Sequence, residues 1–187
     1  ASKGYRMSQE NNRLSAGFIS SGLNTRSLGR NIFVLDETES TNNDAKEKAA
    51  AGASHGTVVI ADRQTMGKGR LGRSFISPSG TGIYMSVVIR PEISVENAGM
   101  ITAAAAVAAA EAVEKLCGMG VNIKWVNDLY INDRKICGIL TEASMGLEMK
   151  SLEYAVIGIG INVRSVKGLF DQELNSIATS IEDETGV

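Results

Sequence analysis

KWVNDLYINDRKICGILTE, residues 124–142, holds two apolar runs broken by Asn132-Asp133-Arg134. Asn and Asp tolerate the left-handed backbone that a tight reversal needs, so residues 129–131 and 135–142 read as the two arms of a β-hairpin. Outward from this hairpin, residues 121–125 extend the strand pattern on one side. YAVIGIGINV at 154–163 forms an apolar strand on the other. Residues 31–36, 57–63 and 82–90 add three more strands, rich in β-branched side chains. Ser15 is placed to cap a short helix over 15–23. Ser40 and Thr41 offer N-cap oxygens to a helix that runs to residue 51 and stops at Gly52. Residues 96–117 predict a long Ala-rich helix buried against a sheet, and 171–181 a last helix. Strands mostly linked by hairpins, with two long helices to cover one face, predict an α+β fold. Its sheet should be mixed and mostly antiparallel, with the helices packed on one face.

Composition narrows the classes. The chain has 187 residues, 43% hydrophobic and 21% charged, which suits one globular domain with room for a short extension. Lys plus Arg is 19 and Asp plus Glu is 21, a net charge of -2, so an overall basic field for nucleic acid is lacking. Cys117 and Cys137 form no C-x-x-C pair. His55 is the only histidine, which excludes a zinc finger or a His-rich metal centre. Two cysteines that make no disulfide framework fit a reducing cytoplasmic home. The longest uncharged apolar stretch, 98–110, is short of the ~20 residues a membrane span needs, and the polar start ASKGYRMSQENN carries no signal-peptide core.

Two motif matches fail on context. Gly52-Ala53-Ser54-His55-Gly56 fits G-x-S-x-G, but the nucleophile elbow follows a strand and opens a helix, and here the order is reversed. Gly67-Lys68-Gly69-Arg70-Leu71-Gly72 fits G-x-G-x-x-G, but a strand rather than a helix follows it.

Three clusters remain informative. RQTMGKGRLGR at 63–73 sets Arg63, Lys68, Arg70 and Arg73 among glycines. Glycine N–H groups can curl around an anion, and arginine offers planar paired donors to phosphate or carboxylate. A solvated flexible loop and a loop for nucleic-acid phosphates fit the same composition. Lys124 and Lys135 can meet across the hairpin and would repel unless a polyanion lay between them; an ordinary solvated hairpin fits too. Gly158 and Gly160 weaken an apolar strand, which calls for close approach of a ligand, a neighbouring chain or a packed bulge.

Taken in order, these blocks resemble the biotin protein ligases. ESTNNDA at 39–45 is similar to the family's S-T-N opening, and QTMGKGRLGRSF at 64–75 to its Q-x-x-G-R-G-R-x-G-R-x-W loop. KWVNDLYINDRKICGILTE is similar to K-W-P-N-D followed by K-x-x-G-I-L-x-E, and VIGIGINV at 156–163 to the G-x-G-[IL]-N strand. The likeness runs from about residue 30 to 165 and implies a class II synthetase-like catalytic domain. Lys68 stands where arginine is usual, Phe75 where tryptophan is, and Val126 where proline is.

The resemblance implies that biotin and Mg-ATP give biotinyl-5′-AMP and pyrophosphate. A lysine of a biotin carboxyl carrier domain then takes the biotinyl group. It implies biotin contacts from Ser40, Thr41, Asn42, Gln64, Gly67, Lys68, Gly69, Arg70, Lys135 and Gly138. ATP or adenylate contacts would come from Arg70, Arg73, Phe75, Lys124, Asn127, Asp128 and Asn162, with Arg70, Lys124 and Lys135 in catalysis. Magnesium would arrive on ATP, with no protein ligand assigned. Residues 1–7 are expected to be the remnant of a linker from an absent winged-helix domain, through which alone DNA would be bound. Residues 8–187 would form the ligase domain, without the family's C-terminal β-barrel. An exposed sheet edge could support a homodimer or carrier docking. A lipoate or octanoate ligase or transferase of the same fold is the neighbouring alternative; a non-catalytic ligand- or nucleic-acid-binding fragment is the distant one.

Overall fold

The computed structural model describes residues 14–146 and 152–186; residues 1–13, including the expected linker remnant, lie outside the described residues. The strands are β1 (Ile32–Thr38), β2 (Val58–Gln64), β3 (Gly82–Ile89), β4 (Asn122–Lys124), β5 (Asp128–Ile131), β6 (Arg134–Met145) and β7 (Leu152–Asn162). They form one sheet in the order β1-β2-β3-β7-β6-β5-β4. Only β1 and β2 pair in parallel, because the helix α2 (Thr41–Ala50) crosses between them; every other neighbour is antiparallel. The expected mixed, mostly antiparallel sheet is what the chain forms.

The helices do not share one face, and that part of the expectation is corrected. Along β7, Ile157, Ile159 and Ile161 pack with Ala106, Ala109, Ala110 and Val113 of α3 (Ala98–Cys117). Tyr154 and Val156 point the opposite way, onto Ala45 and Ala49 of α2, with Val59 and Val88. Successive strand side chains alternate faces, so a sheet apolar on both must be covered on both. Alanines let α3 lie close to the sheet. Each fully buried Val or Ile contributes ~1.5–3 kcal/mol. α3 ends at Gly118, where φ is 69°.

Two further differences shape the site. The β5–β6 register shifts between Leu129 and Tyr130: Leu129 faces Cys137, and Tyr130 faces Lys135. Ile136 is thereby left without an opposite residue, as in a β-bulge. Ile136 and Cys137 both bury under α3, which turns Lys135 and Gly138 together to the α2 face. The last helix is also not continuous. It divides into α4 (Gln172–Ile177) and α5 (Ile181–Thr185). Between them Ala178 bridges to Lys135, and the Thr179 N–H donates to the Lys135 carbonyl at 2.8 Å. The short helix α1 (Ala16–Gly22) carries the expected Ser15 cap, whose hydroxyl accepts from the Phe18 N–H at 3.2 Å.

Candidate functional site

The α2 face of the sheet has a floor with almost no side chains. Gly138 pairs with Gly160 across β6 and β7, and Leu140 with Gly158. Each glycine makes room for a side chain descending from above. A Cβ on Gly158 would lie 2.1 Å from Asn42 Oδ1, and one on Gly160 2.5 Å from the Phe75 ring. Close packing of this chain's own side chains therefore explains the two strand glycines. The cavity over this floor measures about 340 Å³, within the size range of small-molecule sites.

One wall is the start of α2. Ser40 sits at the N-cap position, but its hydroxyl makes no bond to the helix. The first helical N–H, that of Thr41, donates instead to Gln64 Oε1 at 2.9 Å, which satisfies a donor the helix cannot pair. Ser40 is free to line the cavity beside Thr41 and Asn42, all three nearly fully buried. Asn42 is spent within the protein. Its Nδ2 donates to Glu142 Oε2 at 2.8 Å and to the Leu140 carbonyl at 3.3 Å, while its Oδ1 lies 2.6 Å from Ser86 Oγ. Glu142 also takes Lys46 at 2.6 Å. Burial pushes the Glu142 carboxyl up, but the Lys46 and Asn42 hydrogen bonds and the Lys68 charge outweigh that and hold it below its usual value.

The opposite wall is the glycine-rich loop, which folds as an arch rather than a free chain. Gln64 N donates to the Ser77 carbonyl at 3.1 Å, Phe75 N to Gly67 at 2.8 Å, and Gly69 N to Arg73 at 2.7 Å. Gly67 is required there, since a Cβ would meet the Phe75 carbonyl oxygen at 2.2 Å. A single helical turn, Arg70–Gly72, forms the tip, with Leu71 left-handed at φ 56° and 92% exposed. Two straps hold the arch down. Lys68 Nζ donates to Asn43 Oδ1 on α2, and Arg70 donates to Asn127 Oδ1 in the β4–β5 turn, each at 2.7 Å.

The Arg70 strap continues inward. Asn127 Nδ2 donates to Asp128 Oδ1 at 2.8 Å, and Lys135 Nζ lies 2.7 Å from the same oxygen. Lys135 is placed over Gly138, whose Cβ would be 3.3 Å from its Nζ. Asn162 closes the far end by donating to the Thr179 carbonyl at 2.9 Å. Lys68, Arg70, Arg73 and Lys135 line the cavity with Asp128 as the one carboxylate, an excess of positive charge that suits a polyanion. Ser40, Thr41, Asn42, Gln64, Gly69, Phe75, Asn127 and Gly138 line it too. Gly67 shapes the arch from outside that lining. Lys124 is not brought in: it is exposed on β4, and its Nζ stacks 5.5 Å above the Tyr130 ring. Ser86 and Glu142 hold the wall, although the sequence assigned a role in the site to neither; Glu142 entered only as the last position of the K-x-x-G-I-L-x-E match. A lone serine in the apolar run GIYMSVVI is the signal that could have found the first.

The model of the biotin/lipoate A/B protein ligase family matches residues 34–162. The bifunctional ligase/repressor BirA of Bacillus subtilis is 40% identical over 98% of this chain, which covers 56% of that relative. The chain spans about half the length of the BirA relatives from Bacillus that it matches. A biotin protein ligase from Aquifex aeolicus, solved with biotin and ATP, superposes with a TM-score of 0.68 at 31% identity. The match covers 84% of this chain and 62% of that one. One from Leishmania major, solved with biotinyl-5-AMP, gives 0.66 at 28%, covering 84% of this chain and 65% of that one.

Proposed function

This chain belongs to the biotin/lipoate A/B protein ligase family, and from that premise we propose that it activates biotin with ATP and passes it to a lysine of a carrier domain. One observation carries the reading: a glycine-floored cavity faced by Lys68, Arg70, Arg73 and Lys135 and strapped shut by Arg70 on Asn127.

The chemistry asks for such a site. A carboxylate must approach a triphosphate, and two anions at contact repel by several kcal/mol in a partly buried setting, ~4 at 4 Å. Lys135, held by Asp128 above the floor, offsets that repulsion where biotin's carboxylate meets the α-phosphate. Arg70 and Arg73 offer donors to the charge that develops on phosphorus. The bond from the α-phosphorus to pyrophosphate breaks, leaving biotinyl-5′-AMP. The carrier lysine's amine then attacks the acyl carbon and AMP leaves. The arch keeps water from the mixed anhydride between the two steps. Ser40, Thr41 and Gln64 face the ureido ring, and Phe75 and Asn162 flank the adenylate end.

No group of three His, Cys, Asp or Glu side chains among the described residues could hold a metal ion. Mg²⁺ on this reading enters on the phosphates of ATP, with Asp128 the one nearby carboxylate, which matches its habit of keeping water and phosphate ligands. It would supply neutralisation of phosphate charge. The exposed edge strand β4 offers free backbone groups to the carrier or to a second copy of the chain. No helix among the described residues is long and apolar enough to cross a membrane, and the reading places the reaction in the cytoplasm.

The test is biotin-dependent exchange of labelled pyrophosphate into ATP. Exchange that falls at least ~100-fold in Lys135→Ala supports adenylation at this site. No exchange and no thermal shift with biotin, but a shift with lipoate, overturns the reading in favour of the sister chemistry.

A further inference from the structure

At Lys135 the sheet runs out on one side. β7 pairs with β6 only from Cys137 onward, so Lys135 lies beyond the end of β7. The Thr179 N–H takes the place of the missing strand and donates to the Lys135 carbonyl at 2.8 Å, beside a one-residue parallel bridge between Lys135 and Ala178. The Thr179 carbonyl accepts from Nδ2 of Asn162, the last residue of β7, at 2.9 Å. Its hydroxyl accepts from Arg134, the neighbour of Lys135, at 2.9 Å and donates to Glu184 Oε1 at 2.8 Å. That polarity is forced, because a guanidinium can only donate and a carboxylate can only accept. Every polar group of Thr179 thus has a partner, and the residue is 1% exposed. Glu184 is held in turn by Arg134 Nε and Asn132 Nδ2, each at 3.0 Å. Thr179 does not line the cavity, whereas Lys135, Asn162 and Ala178 all do. The start of β6, the end of β7 and the α4–α5 link meet in this one residue.

We propose that Thr179 is a positioning residue that fixes Lys135 and Asn162 relative to each other, and so holds the cation for the carboxylate–phosphate junction in place against the adenylate end of the cavity. The proposal rests on the biotin-activation reading above. Asp128 fixes the side-chain end of Lys135 at 2.7 Å; Thr179 fixes its backbone end. A lysine amine rides on a flexible four-carbon stem, and a misplacement of ~1 Å at a reacting centre costs about 100-fold in rate. The hydroxyl is part of the grip, since the N–H on Lys135 and the Oγ1 on Arg134 hold Thr179 to two consecutive residues of β6. Thr41 and Gln64 pair with each other at the start of α2, so the end of the cavity that takes biotin's ring stands apart from this junction.

Thr179→Val keeps the branched shape and removes the hydroxyl, whereas Thr179→Ser keeps the hydroxyl. Biotin-dependent pyrophosphate exchange is measured for both and for the wild type, with titration calorimetry for biotin alone. In Thr179→Val the kcat of exchange should fall at least about tenfold, the effect of losing a hydrogen bond to a charged group. The biotin Kd should stay within about threefold and the number of sites should not change, because only the transition state needs Lys135 in place. Thr179→Ser should bring kcat back to within about threefold of the wild type. Arg134→Lys covers a valine variant that fails to fold. It keeps a charge beside Glu184, withdraws the guanidinium from Thr179, and should lower kcat in the same direction at an unchanged biotin Kd. An unchanged kcat in a folded Thr179→Val overturns the proposal, as does a serine variant no better than the valine one. A fall in biotin affinity or in the number of sites that matches the fall in kcat means general loosening, and overturns it likewise. A wild type without exchange overturns the proposed function instead.

Discussion

A single carbon added at position 158 would land 2.1 Å from Asn42 Oδ1, an atom already held by Ser86 and fixed through Nδ2 to Glu142. The collision cannot be relieved by a flexible chain end, so Gly158→Ala should cost about 2 kcal/mol, like other overpacked cores. For a chain this size that is a fall in Tm of roughly 4–8 °C. Gly99 is the control. It lies in the first turn of α3, with nothing within 4 Å of where a Cβ would stand. Gly99→Ala should raise stability by about 0.5–1 kcal/mol through helix propensity alone. Thermal denaturation of the two variants decides the matter. Equal effects would mean that Asn42 does not sit on Gly158.

The glycine-rich arch is the element whose order depends on others. Its own bonds, Gly69 to Arg73 and Phe75 to Gly67, close it as a hairpin, and among the described residues the Lys68 and Arg70 side chains tie its tip across the cavity. Asn127→Ala removes the acceptor of the Arg70 strap. Amide exchange at Gly69 and Phe75 should then quicken by about tenfold, the effect of losing one net hydrogen bond of ~1.4 kcal/mol. Exchange within β7 should stay unchanged, and unaltered exchange at Gly69 would show that the strap carries no load. The strands and the cationic loop were legible in the sequence, because β-branched alternation and a Gly/Arg run have local causes. What was not legible depends on partners far along the chain. Which face a helix covers could not be read from YAVIGIGINV, since Val156 and Ile157 are equally apolar and bury on opposite sides. DQELNSIATSI reads as one helix, and breaks because the backbone of Lys135 takes the Thr179 N–H. The nearness of Lys135 to Gly138 rests on a bulge at Ile136 that no local signal marks. Ser86 and Glu142 look routine until α2 is laid across them.

At the scale of the molecule, carboxylates fasten the outer elements to the sheet. Glu142 ties α2 to β6. In α5, Asp183 meets Lys167, Ser165 and Ser180, while Glu184 meets Arg134, Asn132 and Thr179. The Asp183 and Glu184 side chains are 7% and 8% exposed. In all three, burial pushes the carboxyl up, and the hydrogen bonds and neighbouring cations outweigh it, so each titrates below its ordinary value of 3.8 for Asp or 4.5 for Glu. A carboxylate lowered in the fold stabilises fully above its unfolded pKa, and that stability is lost as pH falls through the folded one. The urea midpoint should therefore hold between about pH 7 and 5 and fall steadily below about 4.5. Glu184→Gln should have a lower midpoint at neutral pH and a shallower acid fall, since its share is already gone. The site should fail in the same window. Arg134 and Thr179 share Glu184, and Thr179 takes Asn162 on its carbonyl and gives its N–H to Lys135. Loosening α5 thus loosens the backbone beneath Lys135. Thermal stabilisation by biotin should shrink in step with the urea midpoint as pH falls; a biotin response that persists after the midpoint has dropped would show that α5 is uncoupled from the cavity.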